Sequence, residues 1–152
     1  MKFLFYVFSI VILANGCNDG SSKELATKSA QDNITIEYEA SSRGFYQKVN
    51  LSKENFLLTN TRDGKNTIQQ NMTAEDWKEI IQLLDKIDAE KLKNNYVNPD
   101  DLGRDAVIPA LLTINYKENV VTNVEFGHGN PPKELDALMT KIEAMINAVD
   151  KP

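Results

Sequence analysis

Ile34-Thr35-Ile36-Glu37-Tyr38-Glu39-Ala40-Ser41-Ser42-Arg43-Gly44-Phe45-Tyr46-Gln47-Lys48-Val49-Asn50-Leu51 decides the fold. Ile34, Ile36, Tyr38 and Ala40 alternate with Thr35, Glu37 and Glu39, and a period of two belongs to a strand with one face inward. Ser41-Ser42-Arg43-Gly44 is a turn cluster. Beyond it Phe45, Gln47, Val49 and Leu51 alternate with Tyr46, Lys48 and Asn50. Two strands joined by a short turn pair antiparallel, so the stretch starts an antiparallel sheet.

Downstream, Asn55 to Thr61 continues as a third strand with Phe56 and Leu58 inward. Asp63-Gly64 signals a hairpin, since both central residues of a type I′ turn take positive φ. It leads to a short polar strand near Asn66 to Gln70, suited to a sheet edge. These four strands form a meander. The period then changes. Thr73-Ala74-Glu75-Asp76 resembles a capping box with Asp76 in the Glu place. Trp77, Ile80, Ile81, Leu84 and Ile87 fall on one helical stripe. A helix is predicted from Ala74 to Asp88, with a weaker turn to Leu92 and with Trp77 laid on the sheet.

Lys93 to Pro109 has no periodicity and reads as a long connection. Leu112, Ile114 and Tyr116, then Val120, Thr122, Val124 and Phe126, form a second hairpin turning at Glu118-Asn119. Pro131 is placed at the first position of a last helix, where its missing N–H costs nothing. Leu135, Leu138, Met139, Ile142, Met145, Ile146 and Val149 mark that helix's buried stripe. The expected class is α+β, β-β-β-β-α-loop-β-β-α, with a mainly antiparallel sheet and two helices packed on one face. A domain of about 115 residues buries about two thirds of its unfolded surface, enough for a core without disulfides or metal.

Upstream, Lys2 precedes an apolar run from Phe3 to Ala14 and small residues follow it, the layout of a secretory signal. About 12 residues are too few to span a bilayer core that needs about 20. Leu13-Ala14-Asn15-Gly16-Cys17 resembles the lipobox of bacterial lipoproteins. The resemblance implies cleavage after residue 16, a diacylglycerol on the Cys17 thiol and acylation of the new amino terminus. Three residues before the cysteine stands Ala14, with the aliphatic Leu13 one step further out. Each buried methylene stabilises attachment by about 0.8 kcal/mol, and stable anchoring takes more than one acyl chain. The alternative is ordinary secretion, with Ala14-Asn15-Gly16 as the cut and Cys17, the only cysteine, a bystander. The division expected is 1–16 signal peptide, 17–33 lipidated cysteine and polar tether, and 34–150 one α+β domain.

The chain carries 17 basic and 22 acidic residues, a net charge of −5. Loss of residues 1–16 removes Lys2 and no acid, which leaves −6. That balance disfavours nucleic acid, whose phosphates need Lys/Arg clusters. It also disfavours adhesion to an anionic leaflet through charge, and it suits a basic protein partner.

His128, the single histidine, lies between Gly127 and Gly129. A hydrolase reading pairs it as general base with Asp100, Asp101 or Asp105, but no nucleophile motif accompanies it. Gly127-His128-Gly129-Asn130 offers backbone N–H groups to an anion, without a phosphate loop's Lys or Gly spacing. Asn98 to Asp105 resembles part of a calcium loop, yet Leu102 takes place five and Pro109 place twelve. No metal and no cofactor is expected. Ile36 to Tyr46, Trp77-Lys78-Glu79 and Phe126-Gly127-His128-Gly129-Asn130-Pro131-Pro132 resemble small lipoproteins of Bacteroidota, a family of unknown function. The resemblance implies a bacterial cell envelope, with the outer membrane as the expected anchor and the domain in the periplasm or at the cell surface. It implies no catalytic residue.

The leading expectation is a non-enzymatic interaction module, held to a membrane through Cys17. Its candidate contacts are Arg43, Phe45 and Tyr46, the loop residues Asp100, Asp101, Arg104 and Asp105, and His128. The rival expectations are an inhibitor or immunity protein against a basic envelope hydrolase or toxin, and a hydrolase using His128.

Overall fold

The computed structural model describes residues 33–88, 92, 107–116 and 120–149. Cys17, the 17–32 tether, the Glu118-Asn119 turn, and Asp100, Asp101, Arg104 and Asp105 lie outside the described residues.

Six strands build one sheet: β1 (Thr35–Ser42), β2 (Phe45–Leu51), β3 (Asn55–Thr59), β4 (Thr67–Asn71), β5 (Pro109–Tyr116) and β6 (Val120–Gly127). Their order is β4-β3-β2-β1-β5-β6, and every neighbouring pair is antiparallel. The opening stretch is therefore the centre of the sheet. β1 pairs with β2 across the Arg43-Gly44 turn, and on its other side with β5, Thr35 opposite Asn115. Alternation sorts the faces as expected. Ile36, Tyr38, Ala40, Val49, Leu51, Phe56, Leu58, Leu112, Ile114, Val124 and Phe126 are buried on one side. The polar β4 is an edge, with only Ile68 half-buried.

Helix α1 (Ala74–Leu84) and helix α2 (Asp136–Val149) bury their stripes in the same core cluster as that apolar face. Trp77, Ile80, Ile81 and Leu84 come from α1, and Leu138, Met139, Ile142 and Ile146 from α2. The class is thus α+β with one antiparallel sheet. No helix among the described residues is long and apolar enough to cross a membrane.

Three local expectations are corrected. The β3–β4 connection is not a two-residue I′ turn but a seven-residue loop, because Thr59 pairs with Thr67. Its turn runs from Thr61 to Gly64, whose amide donates to the Thr61 carbonyl at 3.1 Å. Only a residue tolerant of φ +70° suits Gly64. The loop is closed by local side chains: Asp63 Oδ1 accepts from the Lys65 amide and the Thr67 hydroxyl donates to the Gly64 carbonyl. Second, α1 ends at Leu84 rather than Asp88. The Lys86 and Ile87 amides reach back only three residues, which tightens the last turn and still lays Ile87 on the core. Third, Pro131 is not the first helical residue. Pro132 follows it and drives it away from the helical region. A 3₁₀ turn, Lys133–Leu135, starts after Pro132, and α2 follows.

Candidate functional site

Adjacent strand residues point to opposite faces, and this divides the expected contact patch. Phe45 lies on the helix side, partly buried against the core. Its ring centroid is 4.9 Å from that of His128. Tyr46 faces the other side, where the Arg62 guanidinium carbon stands 5.4 Å from its ring centroid. Arg62 also donates to the Ser42 carbonyl at 2.7 Å, so the β3–β4 loop is pinned to the end of β1. Arg43 is exposed on the turn between them. Arg62 was not among the candidates, and nothing in its polar loop context marks it.

His128 leaves β6 toward the helix side. Its amide donates to the Ile108 carbonyl at 2.7 Å, and the Asn130 amide to the Gly127 carbonyl at 2.8 Å. Gly129 takes φ +76° to make this closure. Two of the amides proposed for an anion are thereby committed to the fold, which argues against the anion reading. The ring's Nδ1 is 2.5 Å from the Tyr38 hydroxyl. Burial first, and then the nearby charge of Glu143, raise the Tyr38 phenol well above its usual pKa. Tyr38 thus keeps its proton, and its hydroxyl and Nδ1 share one hydrogen bond whose donor is set by the imidazole tautomer. No group of three or more His, Cys, Asp or Glu side chains able to hold a metal gathers among the described residues.

The sheet's second face is different. No described helix packs on it, and its residues are half-buried or exposed. Cross-strand polar pairs cover much of it. The Thr59 and Thr67 hydroxyls meet at 3.0 Å, Gln69 donates to Asn55 at 3.1 Å, and Thr113 donates to Asn123 at 2.9 Å. Lys48 lies between two carboxylates of β1, 2.9 Å from Glu37 and 3.4 Å from Glu39. The hydrogen bond to Glu37 leads the causes that raise its pKa. One ammonium thus serves two acids, while Glu125 on β6 makes no ion pair among the described residues.

Leu111 opposes Glu39 on one side and Glu125 on the other. It is the one large hydrophobic residue exposed among the described residues, at 37%. Around it Glu39, Ser41, Pro109, Ala110 and Glu125 enclose a depression of about 340 Å³. A second depression of about 270 Å³ lies further along the same face, between Glu37, Asn50, Leu57 and Asn115. The basic side chain Arg62 stands toward the β2–β3 flank, and the excess of carboxylate lies toward β1, β5 and β6. Comparison of the chain with protein-family models, with curated proteins and with solved structures finds no match.

Proposed function

We propose that this chain is a non-catalytic binding module, lipid-anchored through Cys17 in a bacterial envelope, which docks a basic protein on the uncovered face of its sheet. The observation that carries the reading is that face itself. It is left open by both helices, its β1-β5-β6 part gathers Glu37, Glu39 and Glu125 with Lys48 as the one cation paired to them among the described residues, and it exposes Leu111 between two of them. Charge on such a face governs orientation and encounter rate, and a small apolar centre supplies part of the affinity. The acidic balance of the whole chain favours the inhibitor form of this reading, with a basic hydrolase or toxin as the partner.

Two measurements test the two halves. Intact mass of the chain recovered from envelope membranes should give an acylated Cys17 as the first residue, and Cys17→Ser should move the protein to the soluble fraction. A leader-bearing or unmodified amino terminus refutes the anchor. For docking, cytochrome c serves as a basic probe protein. It should shift amide NMR signals of the open face in preference to the helices, with binding weakening steeply between low and high salt. Shifts confined to the helix side refute the docking face.

A further inference from the structure

The depression around Leu111 is built for one kind of side chain. Glu39 and Glu125 stand on strands either side of β5, so their backbones are roughly 10 Å apart at two strand spacings. Leu111 fills the gap between them, with Pro109 beside it on the same face. A compact cation would meet one carboxylate and leave the leucine wet. A long side chain with an apolar stem and a charged head would cover Leu111 with the stem and reach a carboxylate with the head. Resting on the docking reading above, we infer that this depression is the seat of an arginine side chain from the partner's surface. Its stem lies on Leu111 and its guanidinium pairs with Glu125, with the Glu39 charge beside it.

The charges support that orientation. Glu39 shares Lys48 with Glu37 and is partly neutralised, whereas Glu125 has no ion pair among the described residues and presents its carboxylate for the fork-like, two-bonded contact that guanidinium makes. Lysine fits less well, because its ammonium is a strongly hydrated point charge without the planar fork.

The full chain, isotopically labelled for NMR, is titrated with the capped peptide Gly-Arg-Gly, with Gly-Lys-Gly, and with cytochrome c. The arginine peptide should move the amide signals of Glu39, Leu111 and Glu125 together, and more strongly than the lysine peptide. Glu125→Gln, which keeps the shape and removes the charge, should weaken its binding about fivefold, the range of an exposed ion pair. Leu111→Ser should weaken it further, with circular dichroism confirming the fold. Shifts spread evenly over all the carboxylates, helices included, overturn the seat. If cytochrome c still lands on the open face while Glu125→Gln and Leu111→Ser change nothing, the arginine seat is wrong and the docking face stands. If neither probe moves open-face signals, both readings fall.

Discussion

Tyr38 has two functions at once. The residue is 2% exposed and its ring stacks 6.1 Å from that of Phe126, while its hydroxyl reaches the core's rim. His128 satisfies that hydroxyl from a position 90 residues away in sequence. Tyr38→Phe keeps the packing and leaves Nδ1 of a half-buried imidazole without its partner, so it should cost about 1 kcal/mol in chemical denaturation. The same variant should change the balance of His128 tautomers, read from ring nitrogen NMR shifts. Unchanged shifts would show that the bond does not orient the imidazole. The split of Phe45 from Tyr46 was legible, since a period of two forbids neighbours from sharing a face. The Tyr38–His128 bond and the Arg62 contact with Tyr46 were not. Each joins residues on separate elements, and local pattern carries no record of which loop folds back where.

At the scale of the element, α1 begins with a cap that differs from the box its sequence resembles. The Thr73 hydroxyl accepts from the Asp76 amide at 3.0 Å, as expected of an N-cap. The Asp76 carboxylate, one methylene shorter than Glu, accepts a hydrogen bond from the Thr73 hydroxyl at 2.6 Å. Its other oxygen accepts from Lys141 on α2 at 2.8 Å, and Lys141 also bonds Glu79. The cap of one helix is therefore tied to the middle of the other. Thr73→Ala should cost about 1 kcal/mol. The hydrogen bond from Lys141, and then that from Thr73, hold the Asp76 carboxyl below its usual pKa. A carboxyl whose pKa is depressed by folding contributes stability that is complete above its unfolded value of about 3.9 and is lost as pH falls through the lower, folded one. Asp76→Asn should remove that part of the acid limb, so the melting temperatures of variant and parent converge between about pH 5 and pH 2. A constant gap over that range would show that the Asp76–Lys141 link adds nothing to folding. The six strands and the two α-helices were legible here because periods of two and 3.6 are strong signals, whereas the 3₁₀ turn at Lys133–Leu135 was not. The ends were not, since they follow hydrogen bonds of single residues. The start of α2 is an exception: Pro131-Pro132 already ruled out a helical Pro131.

Across the whole molecule, one seam decides whether the sheet is a single unit. The meander β1–β4 and the hairpin β5–β6 are each paired between neighbours in sequence, and among the described residues β1 with β5 is the one strand pairing that joins them. Tyr38 faces Leu112 across that seam, and Leu112 is fully buried. Chain connectivity alone would allow two halves to unfold separately. The core argues otherwise, because α2 follows the hairpin in sequence yet lies with α1 in one cluster, and Lys141 holds the cap of α1. Leu112→Ala removes packing from both sides of the seam and should cost about 2–5 kcal/mol, the range for a buried leucine. Trp77, the only tryptophan, reports from α1, which follows the meander in sequence, while far-ultraviolet circular dichroism reports on all the strands. If the seam is part of one cooperative core, both signals should give one coincident denaturation curve in Leu112→Ala, moved to lower denaturant. A Trp77 transition that stays in place while the dichroism becomes biphasic would mean that β5–β6 detaches first. The exposed row Glu39-Leu111-Glu125 would then straddle a joint between two units rather than a rigid face, and an arginine would bind it less tightly in the variant than in the parent.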